Sequence, residues 1–202
     1  PYDVCFYAGE RSGDTVTLYY QPEQCGVYLM DTAGSGEEVW AKVTVAPQPG
    51  GGFKILSNQL CARPDALLSS RPLTGEELAF FNTQFFNSQA TNESGGVQAT
   101  LHNQFLTCLY AGPQDINLFD LFYNGVGIWE APSQAELEQL GVLAEDGSQI
   151  CATYKLTTEA MDAFLLENTG LTLAQTNKVD LDAFDYLPDY DAYYLTKGDT
   201  NY

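Results

Sequence analysis

The sequence has few basic residues, and this scarcity limits the partners that the protein can have. Eight Lys and Arg stand against 27 Asp and Glu among 202 residues, which gives a net charge of −19. A surface of this sign repels the phosphates of nucleic acids and of anionic lipids. We therefore expect no nucleic acid partner. The sequence also lacks a run of about 20 apolar residues, so we expect no transmembrane segment.

Histidine is nearly absent, and this removes several classes of catalytic site. His102 is the single histidine, so a Ser-His-Asp or Cys-His site would have to be built on it. No nucleophile motif surrounds it, and a place on a helix surface or at a helix cap is the simpler interpretation. Transition-metal sites need several His or Cys ligands. Without such a cluster, and without a phosphate-binding glycine loop, we expect no catalytic residues, no metal ligands and no cofactor.

The cysteines are too few and too scattered for a dense disulfide framework. There are five, none of them in a C-x-x-C motif, so at most two disulfides can form and at least one thiol stays free. Most of them are expected to be small buried side chains. Cys5 and Cys25 flank adjacent predicted strands, and they are the pair most worth testing for a disulfide.

The pattern along the chain changes from strand-like to helix-like. Residues 1–59 alternate apolar and polar positions between turns, which predicts a meander of four to five strands, one of them at residues 26–30. Residues 60–71 form a connection without a clear period. Residues 72–188 are predicted to be helical, and residues 189–202 to form a strand that returns to the sheet. An antiparallel sheet with one exposed face needs a cover on the other.

Several helix starts are marked by local signals in the helical segment. Thr74 with Glu77 and Ser133 with Glu136 fit capping boxes. A longer helix is predicted from Thr157 to a position just before Gly170, Asp115 is placed to cap a short helix, and residues 101–110 are expected to be helical. We therefore predict one domain over residues 1–202 of the α+β class. Its single, mostly antiparallel β-sheet is closed by the C-terminal strand, with about five helices packed on one face.

Several runs of sequence, in this order, resemble a family of proteins. They are LTGEELAFFNTQFFN at residues 73–87, INLFDLFYNG at 116–125, TTEAMD at 157–162, YDAYY at 190–194 and GDTN at 198–201. Together they resemble an uncharacterised family of exported, often lipid-anchored proteins from gut-dwelling Gram-positive bacteria. The resemblance implies an extracytoplasmic location, secreted or lipid-anchored, but no activity. The sequence begins with Pro1 rather than Met, in line with a signal segment that has been removed.

The resemblance also implies that the order of the segments is rotated. In the family the GDTN turn continues directly into strands like those at residues 4–10 and 15–20, so the present chain would be circularly permuted. Rotation is tolerated where the chain ends are neighbours at a surface turn. We therefore expect the strand at 190–197 to form a hairpin with the strand at 4–10, with the two ends within about 15 Å of each other.

The carboxylates leave two further possibilities open. The densest group of acids could hold calcium, but it lacks the central glycine and the closing glutamate of a calcium loop, and a solvated acidic surface is the simpler interpretation. Calcium is therefore kept as an alternative ligand and not as the main expectation. A pair of carboxylates suited to a hydrolase is not excluded by the sequence. The group consists of Asp180, Asp182, Asp185, Asp189 and Asp191.

The aromatic residues provide the best candidates for a ligand-binding site. Tyr and Trp beside acids and amides are typical of surfaces that bind sugars or peptides, although aromatic cross-strand pairs also simply stabilise sheets. If one face of the sheet is open, Tyr19 or Tyr193 would join Tyr28 and Trp40 on it. The candidate ligand-binding residues are Tyr19, Tyr28, Trp40, Tyr193, Asp199 and Asn201.

These observations lead to one main functional hypothesis and one alternative. We expect a non-catalytic extracytoplasmic binding or interaction module at the bacterial cell envelope, with a glycan, a peptide or a protein as its ligand. The alternative is a hydrolase of an envelope or dietary polymer that uses a carboxylate pair. A calcium-stabilised scaffold is a third possibility.

Overall fold

The chain forms two antiparallel sheets and four α-helices in the residues that the structure describes. The structure is a computed structural model and describes residues 5–25, 27, 29, 38–65, 71–85, 102–123 and 127–197. The strands are β1 (Phe6–Ser12), β2 (Thr15–Tyr20), β3 (Trp40–Pro47), β4 (Phe53–Cys61), β5 (Ala152–Thr157), β6 (Asp185–Leu187) and β7 (Ala192–Lys197). The helices are α1 (Gly75–Phe85), α2 (Leu118–Tyr123), α3 (Gln134–Leu140) and α4 (Thr158–Thr169).

The first sheet is the meander predicted from the alternating sequence. Its order is β1-β2-β3-β4, with every neighbouring pair antiparallel. Buried and half-buried residues alternate along β2 and β3, so one face packs on the core. The strand predicted at residues 26–30 is not part of this sheet, because β2 pairs directly with β3. Val27 and Leu29 are buried outside any strand, and the other three residues of that segment lie outside the described ranges.

The prediction of a single sheet closed by the C-terminal strand is wrong. Strand β7 is the central strand of a second sheet with the order β5-β7-β6. It pairs along its length with β5, and Ala192, Tyr193 and Tyr194 also pair with β6. The strands that pair with β7 are separated from it by about 40 residues or less in the chain. Strand β7 therefore forms its backbone hydrogen bonds without the first sheet. The described residues contain four α-helices rather than about five.

The outer edge of β1 is already occupied, which explains why β7 does not add to it. Leu73 donates its amide to the carbonyl of Gly9 at 2.8 Å, and Arg11 donates to the carbonyl of Arg71 at 3.1 Å. Further along, Oδ1 of Asn82 on α1 accepts hydrogen bonds from the amides of both Cys5 and Phe6, each at 2.8 Å. A strand edge with satisfied amides and carbonyls offers no template for another strand. The predicted hairpin between the strand at 190–197 and the strand at 4–10 is therefore wrong in the described residues, because β7 pairs with β5 and β6. The chain ends themselves, residues 1–4 and 198–202, lie outside the described residues, so their separation stays a prediction.

The local helix signals are confirmed, with one exception. Thr74 and Glu77 form the capping box of α1, and Ser133 with Glu136 does the same for α3. Thr157 caps α4, which ends at Gly170 in the left-handed conformation. Asp115 does not cap α2, because Oδ1 of Asn117 accepts the amide of Asp120 at 3.0 Å.

Residues 101–110 do not form the α-helix that was predicted. The described part of this segment contains a short 3-10 helix, His102–Leu106, followed by an isolated bridge in which the backbones of Tyr110 and Asn58 exchange hydrogen bonds. Inside the core, the Tyr20 hydroxyl donates to Oδ1 of Asn58 at 2.6 Å, and Nδ2 of Asn58 donates to the carbonyl of Cys108 at 2.9 Å. This buried asparagine therefore joins β2, β4 and the segment after the 3-10 helix.

The two sheets share one continuous hydrophobic core. Phe81 and Phe85 of α1 pack on the first sheet, and Met161 and Leu165 of α4 belong to the same buried cluster as Leu195 of β7. Each fully buried side chain of this size contributes about 1.5–3 kcal/mol relative to exposure to water. None of the helices in the described ranges is both long and apolar enough to cross a membrane.

The disulfide expected between Cys5 and Cys25 is confirmed. The two residues are bonded across a sequence separation of 20, with their Cα atoms 5.3 Å apart. The other three cysteines form no disulfide, which leaves more thiols than the minimum of one: Cys61, Cys108 and Cys151. The disulfide closes the loop that carries β2 and holds the start of β1 against it.

Candidate functional site

The exposed face of the first sheet carries two of the predicted ligand-binding residues. Tyr19 and Trp40 are both half-buried, and they point away from the core because their strand neighbours point into it. Tyr19 lies directly opposite Lys42 in the register of β2 and β3. Since Lys42 and Trp40 are two residues apart in β3, all three side chains share this face.

A third aromatic ring joins them through an irregularity in β1. The register of β1 against β2 shifts between Phe6 and Ala8, so Tyr7 has no partner in the ladder. The Tyr7 side chain is 46% exposed, and its ring meets the Trp40 ring edge to face with the centroids 5.7 Å apart. The tyrosine hydroxyl donates to Oε1 of Gln24. A bulge of this kind redirects a side chain, and nothing in the alternating sequence indicates it.

Carboxylates hold the polar ends of these aromatic side chains. The Tyr19 hydroxyl donates to Oε1 of Glu10 at 2.6 Å. Burial and this hydrogen bond raise the pKa of Tyr19, so the hydroxyl remains a donor at physiological pH. The indole nitrogen of Trp40 donates to Oε1 of Glu38 at 3.1 Å, and the same oxygen accepts Nε2 of Gln21 at 2.7 Å.

A cleft opens where this face meets the outer edge of β1. Its volume is about 420 Å³, within the range of sites that hold small ligands. Gly9 lies on its wall, where a Cβ atom would come within 2.5 Å of Cδ1 of Leu73. A larger residue at this position would force the Leu73 side chain to shift. The lining residues used below are Tyr7, Glu10, Tyr19, Asp65 and Leu78.

The cleft combines the two kinds of group that hold a polar organic ligand. Tyr7 and Tyr19 offer ring surface, while Glu10 and Asp65 offer carboxylate oxygens that accept hydrogen bonds. Glu10 and Asp65 are also the carboxylates that the alternative hypothesis of a hydrolase would use. Both line one cleft, and a hydrolase of this kind needs two carboxylates at the same site. The sequence analysis singled out neither of them, because they are 55 positions apart and belong to no motif.

The structure does not bring Tyr193 to this face. Tyr193 lies on β7 in the second sheet, where its ring packs on Tyr186 with the centroids 4.7 Å apart. It is half-buried, and burial together with the nearby Asp191 raises its pKa. The other three predicted positions, Tyr28, Asp199 and Asn201, lie outside the described residues.

The acidic cluster is partly engaged by neighbouring side chains. Oδ2 of Asp180 accepts Nδ2 of Asn117 at 2.6 Å, and Oδ1 of Asp191 accepts the hydroxyls of Thr158 at 2.9 Å and of Tyr186 at 2.8 Å. In the part of the chain that the structure describes, no three His, Cys, Asp or Glu residues are grouped to hold a metal ion. Calcium binding stays a prediction.

His102 packs into the core instead of lying on a helix surface. Its ring is tilted against Phe53 and Phe85, with centroid distances of 4.9 and 5.6 Å, and Nδ1 lies 3.4 Å from the carbonyl of Gln84. Burial lowers the pKa of His102, and the nearby Gln84 carbonyl opposes that change. The described surroundings give it a packing role.

The comparisons with known proteins supply no function for this site. Comparison of the chain with family models, with curated proteins and with solved structures finds no match. The functional argument therefore depends on the geometry described above.

Proposed function

We propose that the protein is a non-catalytic extracytoplasmic binding module of the bacterial cell envelope, with a glycan, peptide or protein ligand held at the cleft beside Tyr7, Tyr19 and Trp40. The resemblance of residues 73–201 to an exported family supports this location. The Cys5–Cys25 disulfide supports it too, because disulfides persist in oxidising compartments outside the cytoplasm.

The observation that carries the proposal is the aromatic surface beside a carboxylate-lined cleft. Tyr7 and Trp40 meet edge to face on the open side of the sheet, and Glu10 orients Tyr19 at the cleft wall. Ring faces pack against the apolar C–H faces of sugars and against peptide side chains, while carboxylates accept hydrogen bonds from hydroxyl or amide groups. The net charge of −19 favours neutral or basic ligands over anionic ones.

A binding screen with matched variants tests this proposal. The folded domain is assayed against envelope and dietary glycans, and against secreted proteins and peptides. Tyr7→Ala and Trp40→Ala are compared with Tyr186→Ala, which removes an exposed tyrosine from the second sheet. We expect a loss of at least about tenfold in affinity for the first two variants, as for aromatic binding residues in general, and none for Tyr186→Ala. Equal losses in all three variants, or binding that none of them weakens, would refute this site.

The alternative hydrolase remains a second candidate because Glu10 and Asp65 line one cleft. If a bound polymer is also cleaved, Glu10→Gln and Asp65→Asn should each lower the rate of product formation far more than they lower affinity. Tyr186→Ala again serves as the control. Cleavage that survives both substitutions would rule out this carboxylate pair.

A further inference from the structure

A second group of aromatic side chains, away from the cleft, surrounds the amino group of Lys197. Nζ of Lys197 lies 4.3 Å from the ring centroid of Tyr123, 4.6 Å from that of Trp129 and 5.4 Å from that of Tyr154. All three distances are within the range of a cation–π interaction. We refer to Tyr123, Trp129 and Tyr154 as the aromatic cage.

The walls of the aromatic cage are held in place by the fold. Trp129 donates its indole N–H to the carbonyl of Phe122 at 3.0 Å. Its ring packs against Tyr154 of β5, with the centroids 4.2 Å apart. Tyr123 is the last residue of α2 and is 39% exposed, so this wall faces solvent. The cage is therefore an ordered site with access from outside.

Lys197 is a replaceable occupant of the aromatic cage. Within the described ranges, no carboxylate forms an ion pair with its Nζ and no acceptor forms a hydrogen bond with it. An ammonium group has three N–H donors, and burial lowers the pKa of Lys197. A methylated ammonium has fewer donors or none, so it meets the same rings without giving up as many hydrogen bonds to water.

The position of Lys197 allows its side chain to leave without disrupting the sheet. It is the last residue of β7 and pairs there with Ala152 of β5, whereas β6 reaches only to Tyr194 on the other side. Rotation about the side-chain bonds of Lys197 would empty the cage with the backbone ladder intact. The net charge of −19 also raises the local concentration of cations around the protein.

We propose that the aromatic cage is a binding site for the quaternary ammonium group of an external ligand, and that Lys197 fills it when the ligand is absent. A choline-like ester and a trimethylated lysine side chain share this group. Lys197 therefore competes with the ligand and weakens its binding. This site is separate from the cleft on the first sheet, and it stands whether or not that cleft binds a glycan.

Trp129 fluorescence reports on the occupancy of the cage. Trp40→Phe leaves Trp129 as the single tryptophan, and in this background Lys197 is compared with Lys197→Met, which keeps an apolar stem. Tetramethylammonium is titrated into both proteins, and choline and an acetylated trimethyllysine amide distinguish the two sources. With three rings contributing, we expect tetramethylammonium to bind the Lys197→Met protein with a dissociation constant of about 1 mM. We expect it to bind about tenfold more weakly when Lys197 is present.

Two controls make the outcome decisive. The uncharged 3,3-dimethylbutanol has the shape of choline, and it should bind at least about tenfold more weakly than choline because the rings attract charge. Tyr154→Ala in the Lys197→Met background should abolish binding. No saturable response to tetramethylammonium, or an equal response to the uncharged analogue, would overturn the proposal.

A measurement on the unaltered protein covers the case in which Lys197→Met does not fold. The three rings shift the Hε proton resonances of Lys197 by their ring currents. Tetramethylammonium should move these resonances towards their values in an unstructured peptide as it displaces the amino group. If they stay in place up to about 0.1 M tetramethylammonium, roughly ten times the dissociation constant of about 10 mM expected when Lys197 is present, the proposal fails.

Discussion

Removing the charge of Glu136 should destabilise the protein strongly, and the effect should depend on pH. Oε1 of Glu136 lies 2.8 Å from Nζ of Lys155 and also accepts the hydroxyl of Tyr194, while Oε2 accepts the amide of Ser133 at 2.6 Å. The Glu136 side chain is only 3% exposed. One carboxylate therefore caps α3 and ties it to both β5 and β7.

The magnitude follows from the pKa of this carboxyl group. Burial alone would raise it, but the hydrogen bonds from Lys155, Tyr194 and Ser133 outweigh burial and lower the pKa of Glu136 from 4.5 to about 2. At about 1.4 kcal/mol for each unit, the ionised group contributes about 3–4 kcal/mol to the free energy of unfolding. Because the pKa is lowered on folding, this contribution is complete above about pH 5. It is lost as the pH falls towards 2.

The substitution Glu136→Gln tests this value. It keeps the shape of the side chain but leaves Lys155 charged and without its counter-ion. Urea unfolding should show a loss of about 3–4 kcal/mol at pH 7 and of only about 1–2 kcal/mol at pH 3. Glu138→Gln, on an exposed position of the same helix, should change stability by less than about 0.5 kcal/mol. A loss that is the same at both pH values would refute the electrostatic explanation.

Two further predictions concern the start of β1. Asn82→Ala leaves the amides of Cys5 and Phe6 without their acceptor, so urea unfolding should show a loss of about 2–3 kcal/mol. The control Thr83→Ala, which removes an exposed hydroxyl bonded within the same helix, should show little change. Replacing Cys5 and Cys25 by Ala opens a loop with a sequence separation of 20 and should cost about 3 kcal/mol. An unchanged melting temperature in the double variant would contradict this estimate.

The features that the sequence predicted well are local. The capping box of Ser133 and Glu136 spans four residues, and the end of α4 at Gly170 needs only the left-handed conformation that glycine allows. The pairs β1–β2 and β3–β4 were predictable because short turns join them and one face of each strand alternates towards the core. Each of these depends on residues that are neighbours in the chain.

The second sheet was missed because its strands lack a clear pattern. Burial along β5 does not alternate, since Tyr154 and Lys155 are both half-buried, one against Trp129 and the other against Glu136. Strand β6 has only three residues. A short strand without alternation resembles a loop in sequence. The sequence therefore predicted a partner for β7 only in the first sheet, where the alternation is clear.

The candidate site was predictable only in part, for a similar reason. Alternation placed Tyr19 and Trp40 on the exposed face, but Tyr7 reaches Trp40 through a bulge that leaves no mark in the sequence. Asp65 and Leu73 line the cleft with Glu10 although they follow it by more than 50 residues in the chain. That close approach belongs to the tertiary structure alone.

The central position of β7 sets the order in which the protein can be completed during synthesis. Both β5 and β6 hydrogen-bond to β7 and not to each other. Apart from the isolated bridge between Lys155 and Glu130, neither has a strand partner in the described residues until Ala192 and the residues after it have emerged. At about 5–20 residues per second, β5 waits roughly 2–7 s after its own synthesis for that partner. The second sheet therefore closes late, after all four strands of the first sheet have been synthesised.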